Sequence, residues 1–136
     1  MIIVNWSALT KVDARWNYCR CLYAYLSPTA QEILYIGKAW GKTIRDRWDR
    51  SAKSNFWYDL ENMRQIRHHI VLIGEVSLPI GESLTRELLY DIETLLISVE
   101  KPWGNIQSRN SRIRRPGMHV KCTGKWLGKR KIYKDE

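Results

Sequence analysis

The chain has 136 residues, of which 44% are apolar and 27% charged, and carries a formal net charge of +9. That length suits one compact domain with a single core, and the composition excludes wholesale disorder. No apolar run approaches the roughly eighteen residues of a membrane span, and Met1 to Thr10 lack the features of a signal peptide, so a cytoplasmic protein is expected.

The first twenty residues, with Trp6 and Trp16, show no pattern that assigns them. Tyr23–Leu26 and Ile33–Ile36 are β-rich runs, and the polar, proline-bearing Ser27–Glu32 between them reads as a hairpin loop. A helix starts at Thr43, whose hydroxyl and Asp46 are spaced as a capping box, with Ile44 and Trp48 on its inward face. A second helix is predicted from about Asn55 to Ile66, with Phe56, Leu60 and Met63 or Arg64 on successive turns. His69–Leu78 reads as a third strand, with a bulge at Gly74. The strongest helix runs from about Ser83 to Val99, with Leu84, Leu88, Ile92, Leu95 and Val99 in its stripe, and Pro102 ends it. The expected fold is therefore α+β: a three-stranded antiparallel sheet flanked by helices, in the order β-β-α-α-β-α. Residues 1–107 form the domain, with a core at 21–107, and 108–136 form a basic extension.

The charge is unevenly spread. Residues 108–136 hold ten Lys or Arg against two acids, so almost all of the net charge lies there. Such a stretch suits a polyanion, because phosphate neutralisation releases counterions. Trp126 and Tyr133 interleave with the cations and favour nucleic acid over a merely solubilising tail. The residues expected to touch it are Arg45, Arg112, Arg114, Arg115, Lys121, Lys125, Lys129, Arg130 and Lys131. Cys19, Cys21 and Cys122 make no disulfide framework and read as reduced thiols. A zinc set of these three with His119 is the minor alternative, because Cys-x-x-Cys spacing is missing.

Glu93 stands at the edge of the long helix's apolar stripe, where a carboxylate is desolvated unless a cation meets it. Alone, it could equally roll outward or pair with an arginine. Its companions give it more weight. Cys21-Leu-Tyr23 is followed, twelve residues after the tyrosine, by Tyr35-Ile-Gly37-Lys38. Arg47 comes three residues after Ile44, and Pro102-x-x-Asn105 places an asparagine twelve residues beyond Glu93. This ordered set resembles the signature of the GIY-YIG nuclease family over residues 21–107. The Pro102–Gln107 run is also similar to the closing segment of small phage-type endonucleases. Two departures stand out: Cys-Leu-Tyr replaces Gly-Ile-Tyr, and Ser51 occupies the place where many members carry a histidine. His68 or His69 could serve instead.

The resemblance implies a DNA endonuclease that leaves 5′-phosphate and 3′-hydroxyl ends, with RNA as an alternative ligand. Tyr23 is the implied general base, with Tyr35 beside it; ordinary sheet packing is the plainer role for both. Arg47, with Arg45 as its rival, would present a planar fork to phosphate, and Lys38 a point charge. Glu93 would hold one Mg²⁺ or Mn²⁺ per active site, since no Asp/Glu pair stands out for a two-metal clamp. Asn105 would hold the site in shape, or be a simple turn residue. A single site per chain implies subunit pairing or sequential nicking to cut both strands. The competing expectation is a binding module that keeps the fold without turnover.

Overall fold

The computed structural model describes residues 1–29, 31–48, 54–105 and 117–135. Its elements in chain order are β1 (Ile2–Ala8), β2 (Arg20–Leu26), β3 (Ile33–Trp40), α1 (Ile44–Trp48), α2 (Ser54–Met63), β4 (Ile70–Ser77), α3 (Arg86–Glu100), β5 (His119–Gly124) and β6 (Ile132–Lys134). All six strands join one sheet, ordered β3-β2-β4-β1-β5-β6. Only the β1–β5 pairing is parallel; the other neighbours run antiparallel.

This corrects the expected three-stranded antiparallel sheet with an appended basic extension. The three strands seen in the sequence are β2, β3 and β4, and the missed ones are β1, β5 and β6. In β1 the buried residues Ile2, Val4 and Trp6 alternate with exposed ones. That period-two signal is too short to stand out before its partners are known. In β5, Val120 and Cys122 point inward while His119 and Lys121 point outward. A strand with one wet face places its cations at alternate positions, and in sequence it looks like a basic tail.

Two cores cover the two faces of the sheet, and β2 divides its side chains between them. Leu22, Ala24 and Leu26 join the cluster built with α3. Cys21, Tyr23 and Tyr25 join the cluster containing Ile44 of α1 with Trp57 and Leu60 of α2. Cys122 lies in the first cluster and Cys21 in the second, so the sheet separates two of the suggested zinc ligands. At the β1–β5 end the Trp6 and Trp126 rings stack with centroids 4.6 Å apart. Trp126 Nε1 donates to the Tyr133 hydroxyl at 2.9 Å, which donates to Glu100 Oε2 at 2.6 Å. The last strand is thus fastened to α3.

The local signal holds at the start of α1. The Thr43 N–H donates to Asp46 Oδ2 and the Asp46 N–H to Thr43 Oγ1, both at 3.1 Å, which closes the expected capping box. α3 starts at Arg86 rather than at about Ser83, because Thr85 caps it by accepting from the Leu88 N–H at 3.1 Å. Lys101 ends α3 in the left-handed region, immediately before Pro102. Two other details differ from expectation. Trp48 is 39% exposed rather than inward. Gly74 is no bulge, since it pairs in unbroken register with Trp6 and Leu22. A Cβ there would come within 2.9 Å of the Trp6 ring and of Val4, so the glycine makes room for the indole. Among the described residues no helix is long and apolar enough to cross a membrane.

Candidate active site

Antiparallel pairing of β2 with β3 sets Tyr23 opposite Gly37 and Tyr25 opposite Tyr35. The three rings form a triad with centroids 5.4 to 6.0 Å apart. The Tyr23 ring lies directly over Gly37, where any Cβ would collide with its phenol end. Tyr23 is 2% exposed, and burial, followed by the neighbouring tyrosines, raises its pKa well above the usual phenol value. Tyr35 is only partly buried. Burial and then Glu93 raise it, while the Tyr23 hydroxyl, donating to its oxygen, and Arg47 act in the opposite sense. Tyr35 is therefore the outer member of the pair.

Glu93 reaches this group from α3. Burial pushes its carboxyl up to about 7, against the opposing pull of Lys38, of Arg47 and of the Lys38 backbone N–H. Lys38 Nζ lies over the Tyr90 ring at 5.4 Å from its centroid. Asn105 secures the strand that carries Lys38. It is 6% exposed, and its Oδ1 accepts from the Ile36 N–H while its Nδ2 donates to the Ile36 carbonyl, both at 2.8 Å. The Gly104 N–H donates to the Leu34 carbonyl at 2.8 Å. Since β3 is an edge strand, the Pro102–Asn105 turn supplies the hydrogen bonds that another strand would.

The two arginines of α1 part company. Arg47 acts electrostatically on Tyr23, Tyr35 and Glu93. Arg45 is exposed and lies over the Trp16 ring at 5.6 Å from its centroid. Two helical positions differ by about 200° around the axis, so the two residues face opposite ways. Tyr23, Tyr35, Lys38, Arg47 and Glu93 come together from four elements, with Asn105 bracing them from behind.

Tyr25 is the neighbour that sequence reasoning passed over. Its hydroxyl donates to the Arg47 carbonyl at 3.5 Å, and its ring packs against Tyr35, Phe56, Trp57 and His69. Its place two residues after Tyr23 on a strand was the available signal. His69 packs against Tyr25 and accepts from Trp48 Nε1 at 2.9 Å. Ser51, Arg112, Arg114 and Arg115 lie outside the described residues. Lys121, Lys125, Lys129, Arg130 and Lys131 are exposed on β5 and the β5–β6 connection, toward the sheet edge opposite β3.

Among the described residues no group of three or more His, Cys, Asp or Glu could hold a metal ion by itself. Mg²⁺ keeps most of its waters and commonly uses one or two carboxylates plus substrate phosphate. A partly buried carboxylate beside the edge strand β3 fits that mode of binding, and does not make a dedicated protein cage. Searches of protein-family models, curated proteins and solved structures find no match to the chain.

Proposed function

We propose that the protein is a metal-dependent endonuclease of the GIY-YIG type that hydrolyses phosphodiester bonds in DNA. The observation that carries this reading is the convergence of Tyr23, Tyr35, Arg47 and Glu93, from β2, β3, α1 and α3, on one partly buried patch. Nothing in core packing requires a carboxylate, an arginine and two phenols to meet there.

Arg47 offers a forked cation to the phosphate oxygens and Lys38 a second positive charge, which stabilises the charge that accumulates as water attacks phosphorus. The Tyr23–Tyr35 pair is the general base, with Tyr35 as its water-facing member. Both phenols sit above their usual pKa, so cations must approach and drive a phenol proton into solvent before the resulting phenolate accepts one from water at neutral pH. Water gives a proton to the phenolate as its oxygen bonds to phosphorus, the bond to the 3′ oxygen breaks, and that oxygen takes a proton from solvent, leaving a 5′-phosphate and a 3′-hydroxyl. Glu93 would hold the divalent ion, which when bound supplies Lewis-acid neutralisation of the phosphate. The exposed cations of β5 and the β5–β6 connection provide a sequence-independent grip on the backbone.

Incubation with supercoiled plasmid tests this, with Mg²⁺ or EDTA, for wild type and Glu93→Ala. Mg²⁺-dependent nicking by wild type alone is expected. Burial of the Tyr23 hydroxyl favours a second reading, a binding module without turnover. Plasmid retention with no cutting by either protein would select it, and RNA would be the next substrate.

A further inference from the structure

A cavity of about 640 Å³ opens beside α1, and Trp16, Trp48, Trp57 and His69 are among its walls. That volume lies within the roughly 300–1,000 Å³ of typical small-ligand pockets. Its walls are aromatic in an unusual degree. Trp16 and Trp48 are tilted with centroids 5.4 Å apart, and Trp57 and His69 lie 4.7 Å apart. Trp48 is 39% exposed although its ring is fixed by the bond to His69. Arg45, Lys11 and Arg67 also line the cavity and are exposed. Glu61, the acid among the described lining residues, pairs with Arg67 at 3.6 Å.

Flat rings with a cationic border suit a ligand that is itself a flat ring joined to an anion. We propose that this cavity receives an unpaired nucleobase of the nucleic-acid substrate, stacked on Trp48, with Arg45 on the adjoining phosphate. The inference rests on the nuclease reading and specifies its substrate. Two features tie cavity and active site to one strand. Arg45 and Arg47 stand on opposite faces of the same short helix, about 10 Å across. Tyr25 packs between the two sites, with its ring 5.5 Å from Tyr35 and 5.2 Å from the cavity residue His69. A phosphate at Arg47 and a base at Trp48 would thus belong to neighbouring nucleotides.

The test compares affinities, by fluorescence anisotropy in EDTA, for a perfect duplex and for one carrying a single-nucleotide bulge. Wild type should prefer the bulged duplex by about tenfold, the scale of one base stacking on an aromatic ring. Trp48→Ala should lose that preference, and Trp48→Phe should keep most of it. If Trp48→Ala fails to fold, Arg45→Gln, altered at an exposed side chain, should lower the preference. Equal affinity for both duplexes overturns the proposal, as does a preference that Trp48→Ala leaves intact. So does a change of oligomeric state in Trp48→Ala, which would assign the cavity to a second copy of the chain. Because EDTA removes turnover, a bulge preference without plasmid nicking defeats the nuclease reading alone, and nicking without preference defeats this inference alone.

Discussion

Tyr23 lies across Gly37, its antiparallel partner, so closely that the absence of one side chain sets the position of the other. Gly37→Ala therefore acts on Tyr23. The new methyl must displace the phenol from its place beside Tyr35, at a cost of about 1–3 kcal/mol typical of overpacking. Chemical denaturation should show that loss, and plasmid nicking should fall well below what the stability change explains. Unchanged stability and cleavage in Gly37→Ala would refute the packing account.

The Glu93 carboxyl, raised to about 7, gives a stability prediction whose sign is fixed. A carboxyl raised on folding stabilises the protein while protonated, below the ordinary carboxylate range. That contribution disappears as pH rises through about 7. In metal-free buffer, Glu93→Gln should therefore match wild type near pH 5 and exceed it above pH 8, by about 1–2 kcal/mol. Melting temperatures at the two pH values would show it. A variant that gains nothing at alkaline pH would mean that Lys38 and Arg47 already neutralise the carboxylate.

Asn105 offers both of its amide groups to Ile36, and aspartate cannot do so. Asn105→Asp keeps an acceptor for the N–H but turns an oxygen toward the Ile36 carbonyl. A buried carbonyl left without a donor costs about 1–3 kcal/mol, and the repulsion adds to it. The variant should melt earlier, with faster amide exchange at Ile36 and Lys38. Wild-type exchange at these amides would show that the Pro102–Asn105 turn does not brace the strand.

The basic residues of β5 and the β5–β6 connection must be tested by charge. Removing residues 108–136 would take away two strands and uncover Trp6, so weakened binding would report unfolding. Lys121→Glu with Lys125→Glu alters exposed side chains only. Each lost phosphate contact should reduce the slope of log affinity against log salt by about one. A slope equal to wild type would place the nucleic acid elsewhere.

What the sequence revealed followed the range of the interactions involved. Thr43 with Asp46, and Pro102 after the end of α3, act over a few residues and are legible from spacing, whereas spacing does not single out the cap at Thr85 and starts α3 at about Ser83. Tyr23, Tyr35, Arg47, Glu93 and Asn105 were found because their order resembles a known signature; composition alone offered no route to them. What stayed hidden depends on distant partners. Trp6 could not be placed without Trp126, and β5 could not be told from a charged tail without β1. The role of Tyr25 emerges only when Tyr35 and His69 close around it.

The parallel pairing of β1 with β5 joins Ile2–Trp6 to Val120–Gly124 and closes a loop nearly the length of the chain. Such a contact brings no reward until almost everything between its ends is in place. β1 waits beside β4 with an open hydrogen-bonding edge, and the indole of Trp6 stays uncovered until Trp126 arrives. The final strands complete the sheet and anchor Tyr133 to Glu100. A ribosome-bound chain short of β5 would hold the hairpin of the candidate active site while its far edge stayed adhesive, so the hazard during synthesis is aggregation through β1.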